Sequence, residues 1–388
     1  MRWQPDPKAE THARTAALAQ VALRSPSGEP ALARWLARSL LSLGQEKDAE
    51  SVLLGAVANA PADAELRILL ARAKLALADL DEAKRQIDEA LRLAPQDRDA
   101  RIIRFAILVR TRQWDAATSL MDEIAALAPL NSHLCEARLR AQSPQAWQAM
   151  LAACEAGLAR NPILTDATYF KALALARLGR AQEASDVIGL ERFVEMSGLP
   201  APDGFDDTET FRAGLAREIS RNPTLTPDHK ATSGGLQTRQ LEQPDAVHVD
   251  TLLGQIKTAV DAYESRLSRT SNVFATGRPR AAFLKAWAVI YGAAGRQKPH
   301  RHPRGWLSGV YYVAAPPPEG DVYRGSLLLG ALDARYGIAS PPWGTKKIAP
   351  VPGRLVLFPS YVPHATEETG IEGARISVAF DVVPADPV

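Results

Sequence analysis

The sequence predicts a multidomain α + β chain, an N-terminal α-solenoid followed by a C-terminal double-sheet jelly roll. Three observations carry that reading. Pro61, Pro95 and Pro129 recur every 34 residues, and Pro162 follows after 33. From Ala281 onward the chain reads as short apolar segments (AFLKAWAVIYG, LSGVYYV, GSLLLG, KKIAPVPGRLVLF, RISVAFDVV) broken by Gly and Pro turns, the pattern of a sandwich or barrel. Between the two halves, residues 198–210 (GLPAPDGFDDTET) are rich in Pro, Gly and Asp and mark a boundary.

The helical half is read from its period. Asp48-Ala49, Glu82-Ala83 and Asp115-Ala116 mark one turn of a second helix, and Ala60, Ala94 and Ala128 precede the prolines. Leu43-Gly44, Leu77-Ala78 and Leu178-Gly179 end the first helix. A helix, a tight turn, a second helix and a closing proline every 34 residues resemble the tetratricopeptide repeat. Four to five units fit between residues 14 and 190, the fourth being irregular around Ser143-Pro144. Such helix pairs bury their apolar faces only by stacking into a curved solenoid. Its concave side takes a peptide or a partner helix, so the expected partner is a protein or peptide. The alternative is that the repeats only scaffold or dimerise the chain.

The expected domains are residues 1–190, the solenoid, and residues 191–388, the jelly roll. Within the second, Phe211 to Ser220 reads as a short helix and residues 222–245 as a polar, irregular stretch. Residues 249–267 read as an amphipathic helix with Leu252, Leu253, Ile256, Val260 and Tyr263 on one face.

Composition sets limits on function. The chain has 388 residues, 46% of them hydrophobic and 23% charged, with a net charge of +2. That balance suits a globular protein and gives no basic surplus for a nucleic-acid partner. The N-terminal MRWQPDPKAETHARTAALAQ lacks the apolar core of a signal peptide, and no window approaches 18 apolar residues. No membrane partner and a cytoplasmic location are therefore expected. Cys135 and Cys154 fall in helical patterns without CxxC spacing and read as reduced, partly buried small hydrophobes.

The chemistry concentrates in PHRHPRGWLSGVYYV, residues 299–313, and in GRLVLFPSYVPHATEETGIEGARISVAFD, residues 353–381. Side chains at i and i+2 leave a strand on the same face, so His300 and His302 are expected to converge. A strand from Leu355 to Phe358 breaks at Pro-Ser and delivers His364, and the next strand opens with Arg375 and Ser377. Three imidazoles suit iron or zinc. Arg375, with Ser377 on the same face, offers a bidentate carboxylate clamp. Zinc hydrolysis does not need that clamp, whereas a cosubstrate with a carboxylate at its far end does.

These residues resemble a known family. The C-terminal half, with H-x-H-P…SGVYYV and LVLFPS…H…RIS, is similar to 2-oxoglutarate/Fe(II)-dependent oxygenase domains. The resemblance extends upstream to ERFVEMSGLPAPDGF and SGGLQT. It implies a double-stranded β-helix, Fe(II) held by a facial set for which His300, His302 and His364 are the candidates, and 2-oxoglutarate chelating the metal. The distal carboxylate of 2-oxoglutarate would meet Arg375 and Ser377, and O2 would be consumed in hydroxylating a C–H bond. Tyr291 and Ser308 are further candidates at the cofactor, and Trp306 sits beside the motif. The usual metal set of the superfamily is two histidines and one carboxylate, whereas the middle position here is His302. Three imidazoles, a remote carboxylate such as Glu319 or Asp333, and a domain that has lost its metal stay open at this point. So do three functions: hydroxylation of a protein or peptide presented by the repeats, the same chemistry on a small molecule, and a non-catalytic scaffold. His229 and His248 lie in polar segments and are expected at the surface.

Overall fold

A computed structural model of the chain describes residues 1–6, 30–141, 143–227, 232–267, 272–317, 322–370 and 372–385. The chain forms two compact units, residues 6–142 and residues 143–388 with residues 1–5.

The first unit carries the helices α1 (Pro30–Leu43), α2 (Glu46–Asn59), α3 (Ala64–Ala76), α4 (Leu80–Leu93), α5 (Arg98–Arg110), α6 (Trp114–Leu127) and α7 (Ser132–Arg140). Their ends repeat as the sequence does. Asp63, Asp97 and Asn131 cap α3, α5 and α7, accepting the backbone N–H of Leu66, Ala100 and Leu134 at 3.1, 2.8 and 3.2 Å. The first helix of each pair ends on a left-handed residue, Gly44, Ala78 or Arg112, with φ of 76, 63 and 59°. The next N–H, of Gln45, Asp79 or Gln113, reaches back to the carbonyl of Leu40, Lys74 or Leu108, each at 2.9 Å. This is the hydrogen bond that stops a helix at a left-handed residue. Packing explains why the pairs need one another. One buried cluster joins Leu36, Leu40 and Leu53 to Leu66, Leu69 and Leu70 of the following pair, and two more link α3 to α5 and α5 to α7. Residues 14–29, where the repeat pattern was expected to begin, lie outside the described residues.

The second unit opens with further helices, α8 (Pro144–Arg160), α9 (Thr165–Arg177), α10 (Ala181–Ile188) and α11 (Leu190–Phe193). Helices with the sequence signature of repeats thus share a compact unit with the sheet. The reason lies in α9, which buries Tyr169, Phe170, Leu173 and Leu175 and bonds directly to the turn after His300. Cys154 in α8 is buried, as is Cys135 in α7. Helices α12 (Thr208–Ser220) and α13 (Val247–Leu267) match the expected ones, and the five apolar residues expected on one face of α13 are all buried. A short α14 (Val273–Thr276) leads into the sheet. No helix among the described residues is long and apolar enough to cross a membrane.

The strands are β1 (Arg2–Trp3), β2 (Glu195–Gly198), β3 (Leu225–Thr226), β4 (Thr232–Thr238), β5 (Ala281–His300), β6 (Leu307–Ala314), β7 (Leu327–Leu329), β8 (Lys346–Ile348), β9 (Arg354–Pro359), β10 (His364–Thr366) and β11 (Arg375–Pro384). They form a curled, largely antiparallel sheet in the order β2-β9-β6-β11-β5-β10-β7-β8, the jelly-roll architecture expected. The bend is in β5, which pairs with β11 over Ala282 to Tyr291 and with β10 from Gln297 to His300. The stretch 222–245, expected from its polar composition to be irregular, holds β3 and β4. Its alternation is interrupted by Gly234 and Gly235. Gly235 is needed for close approach, since a Cβ there would lie 2.6 Å from Cδ1 of Tyr291 on the neighbouring strand.

Ala78 and Arg112 occupy a backbone region that costs an L-residue with a side chain roughly 1–2 kcal/mol. Ala78→Gly and Arg112→Gly are expected to stabilise the repeat unit by about 1 kcal/mol each. A denaturant midpoint that rises would agree, and one that falls would contradict this account of the helix ends.

Candidate functional site

The sheet register assembles the site. Strand β5 ends on His300, directly opposite His364, the first residue of β10, and the two ring centroids are 4.3 Å apart. His302 lies beyond the end of β5, in the turn towards β6, so strand parity is not what aims it. Instead its backbone N–H donates to the Ser360 carbonyl at 3.2 Å, and the Ser360 N–H donates to the Trp306 carbonyl at 3.0 Å. These two bonds pin the turn against the end of β9. The His302 ring then sits 5.2 Å from His300 and 4.9 Å from His364.

One potential ligand atom from each imidazole lies within 4.8 Å of the other two. Among the described residues no other group of His, Cys, Asp or Glu converges in this way. Asp333 is not part of the cluster, and Glu319 lies outside the described residues.

The protonation of the rings follows from their other nitrogens. Nδ1 of His300 lies 2.8 Å from the Lys298 carbonyl, and Nδ1 of His364 lies 3.1 Å from the Val362 carbonyl. Nδ1 of His302 lies 2.5 Å from Oδ1 of Asp381. Each neighbour is an acceptor, so each Nδ1 carries the proton and leaves Nε2 with its lone pair. Burial, and then the proximity of His300 and His302, hold the pKa of His364 well below its ordinary value. That keeps the ring neutral, the form that binds metal.

The same pocket contains a buried cation. Arg375 is 1% exposed and faces Tyr291 across the β11–β5 ladder, its guanidinium 4.5 Å from the ring centroid. Nη1 donates to the carbonyls of Gly325 and Glu367. Nη2 is buried with no hydrogen-bond partner among the described residues. Burial draws the Arg375 pKa down, but a guanidinium stays charged in proteins. A buried cation with an open donor is costly unless an anion meets it. The donor set therefore fits Fe(II) at the three Nε2 atoms and a carboxylate at Nη2.

The expected site residues separate into two groups. Tyr291 and Ser377 line the pocket with Arg375 and the histidines. Ser308 also lines it, but its hydroxyl donates to Asp381 Oδ1 at 2.6 Å and lies 2.8 Å from Ser360 Oγ. Trp306 stacks on Phe274 and donates Nε1–H to its carbonyl at 3.2 Å, a packing role. His248 is not simply exposed. Its Nδ1 lies 2.5 Å from Glu218 and its ring packs against Phe205 and Phe211. His229 lies outside the described residues.

Asp381 and Tyr312 were not singled out from the sequence. Continuing the alternation Arg375, Ser377, Ala379 along β11 would have reached Asp381, and continuing from Ser308 along β6 would have reached Tyr312. Burial pushes the Tyr312 hydroxyl up to about 12, with Arg375 pulling the other way, so it stays a neutral donor. Helix α9 braces the turn between the histidines. Arg301 donates to Asp166 at 2.7 Å and lies over the rings of Tyr169 and Phe170, while Thr165 donates to the Gly305 carbonyl at 2.7 Å.

Comparison with known proteins adds a family match over part of the chain. Residues 285–381, which include all three histidines and Arg375, match the family model described as "Putative 2OG-Fe(II) oxygenase". No curated protein matches the chain. Among solved structures, a Pseudomonas putida prolyl-4-hydroxylase is similar at 17% identity, over 53% of this chain and 100% of that one, with a TM-score of 0.37. A Trichoplax adhaerens prolyl hydroxylase, in complex with a peptide fragment of the hypoxia inducible factor oxygen degradation domain, is similar at 14% identity over 53% and 92%, with a TM-score of 0.35. YrrB, a tetratricopeptide-repeat protein with an unusual peptide-binding site, is similar at 17% identity over 45% and 92%, with a TM-score of 0.33.

Gly325 holds Arg375 through its carbonyl while sitting at φ +70°, and a Cβ there would lie 2.7 Å from Thr369 Cγ2 and 2.9 Å from Arg375 Nη1. Gly325→Ala is therefore expected to destabilise the second unit by about 1–3 kcal/mol. Thermal unfolding indistinguishable from wild type would contradict the packing described for Arg375.

Proposed function

We propose that the chain is an Fe(II)- and 2-oxoglutarate-dependent dioxygenase that hydroxylates a protein or peptide engaged by its repeat unit. The observation that carries the reading is the pairing, in one pocket, of three histidines that each bring a ring nitrogen within 4.8 Å of the other two and a buried Arg375 whose Nη2 has no partner among the described residues. Bound iron and 2-oxoglutarate supply the chemistry, in which decarboxylation of the 2-oxo acid by O2 drives hydroxylation of a C–H bond.

The residues of the chain bind and orient. His300, His302 and His364 hold the metal through Nε2. Arg375 Nη2, with the Ser377 hydroxyl beside it, holds the distal carboxylate of 2-oxoglutarate. Tyr291 packs under the guanidinium, and Tyr312 adds a neutral hydroxyl to the wall. Both help keep water from the ion pair, which strengthens it. The protein or peptide substrate is supported by the stacked helix pairs, whose first unit leaves Leu32, Trp35 and Leu54 exposed for a partner to cover.

Titration of 2-oxoglutarate into anaerobic, Fe(II)-loaded protein tests the assignment. Arg375→Ala should retain iron but weaken 2-oxoglutarate binding by more than about tenfold, because it removes one partner of a buried charge pair. Arg375→Lys should recover part of the loss, having lost the planar fork of donors. His364→Ala should lose the iron. Unchanged 2-oxoglutarate affinity in Arg375→Ala would remove this cosubstrate from the reading.

A further inference from the structure

We propose that Asp381 is the displaced carboxylate of this metal centre. It stands one hydrogen bond behind the metal, holds His302 as an Nε2 ligand and supplies the negative charge that a direct carboxylate ligand would bring. The inference rests on the metal reading above and concerns how the third ligand is controlled.

The three histidines are not held alike. His300 and His364 give their Nδ1 protons to backbone carbonyls and sit opposite each other in a strand ladder. His302 lies outside the strands, and a side chain, Asp381, holds its ring. Asp381 is 8% exposed and belongs to β11, whose register places it beside Ser308 of β6. The same Oδ1 that lies 2.5 Å from His302 Nδ1 accepts the Ser308 hydroxyl at 2.6 Å, and Ser308 reaches Ser360 at 2.8 Å. Ser360 in turn accepts the backbone N–H of His302. The network therefore closes on His302 from both its backbone and its ring. A carboxylate acceptor fixes which nitrogen carries the proton and makes the other a stronger donor to a metal.

The arrangement makes an unusual demand on substitutions. In His302→Asp, the introduced carboxylate meets Asp381 with no N–H between them, and like charges at that range repel. Restoring the common two-histidine, one-carboxylate set should therefore fail on its own, and should recover only when the charge behind it is removed.

Binding of Co(II), followed by its visible absorption in the full chain, tests this. Asp381→Ala is expected to weaken Co(II) binding about 10–100-fold, and the isosteric Asp381→Asn, which keeps an acceptor, by less. His302→Asp should bind weakly, and His302→Asp combined with Asp381→Asn should bind more tightly than His302→Asp alone. Asp381→Asn thus weakens binding in one background and strengthens it in the other, a reversal that a purely structural role for Asp381 would not produce. If Asp381→Ala fails to fold, the two Asp381→Asn comparisons decide alone. Wild-type affinity in Asp381→Ala, or the same direction of change in both backgrounds, overturns the inference while the metal reading stands. A wild-type chain that takes up no Co(II) overturns both.

Discussion

Three imidazole ring nitrogens lie within 4.8 Å of one another, and such rings converge on one point only if each is held in place by its other nitrogen. The second unit meets that requirement with three separate acceptors. Two are carbonyls, those of Lys298 beside His300 and Val362 beside His364, and the third is the Asp381 carboxylate. Much of the surrounding architecture follows from this constraint. The long β5 must bend so that its end reaches β10, which sets His300 opposite His364. The turn after β5 must be pinned at Ser360 and braced by α9 through Arg301 and Thr165, because no ladder holds it.

Strand β11 sets the charges of the site. It pairs with β5 on one side and β6 on the other, so its register is fixed from both flanks, and a slip of one residue would turn its inward side chains away. Its inward positions run from Arg375 through Ser377 and Ala379 to Asp381. A buried cation at one end and a buried anion at the other therefore share one strand face. The anion accepts hydrogen bonds from His302 and Ser308. The cation is met by two carbonyls at Nη1 and by the face of Tyr291. Its Nη2 has no partner among the described residues, so the pocket suits a ligand that brings a carboxylate.

Much of this was legible in the sequence, and the remainder was not for identifiable reasons. The 34-residue period exposed the helix pairs because caps and left-handed turns recur with it, even where Ala78 and Arg112 replace glycine. The three histidines, Arg375 and Ser377 were legible because two motifs carry them at short spacing. What placed His302 was not parity but a turn held by Ser360, a contact 58 residues away along the chain for the backbone atoms involved. Strand β4 was hidden because Gly234 and Gly235, the second of which lets it approach Tyr291, break its alternation. Asp381 was not legible because the His302 ring reaches it only after the sheet has curled. The packing of α8 to α11 with the sheet was likewise invisible, since repeat periodicity reports how a helix is made and not which core it joins.

Formation of succinate from 2-oxoglutarate by the Fe(II)-loaded full chain in the presence of O2 tests the central claim most directly. The account predicts succinate that depends on added Fe(II) and falls to background in His364→Ala. A correctly folded, iron-loaded wild-type chain that yields no more succinate than His364→Ala would contradict it.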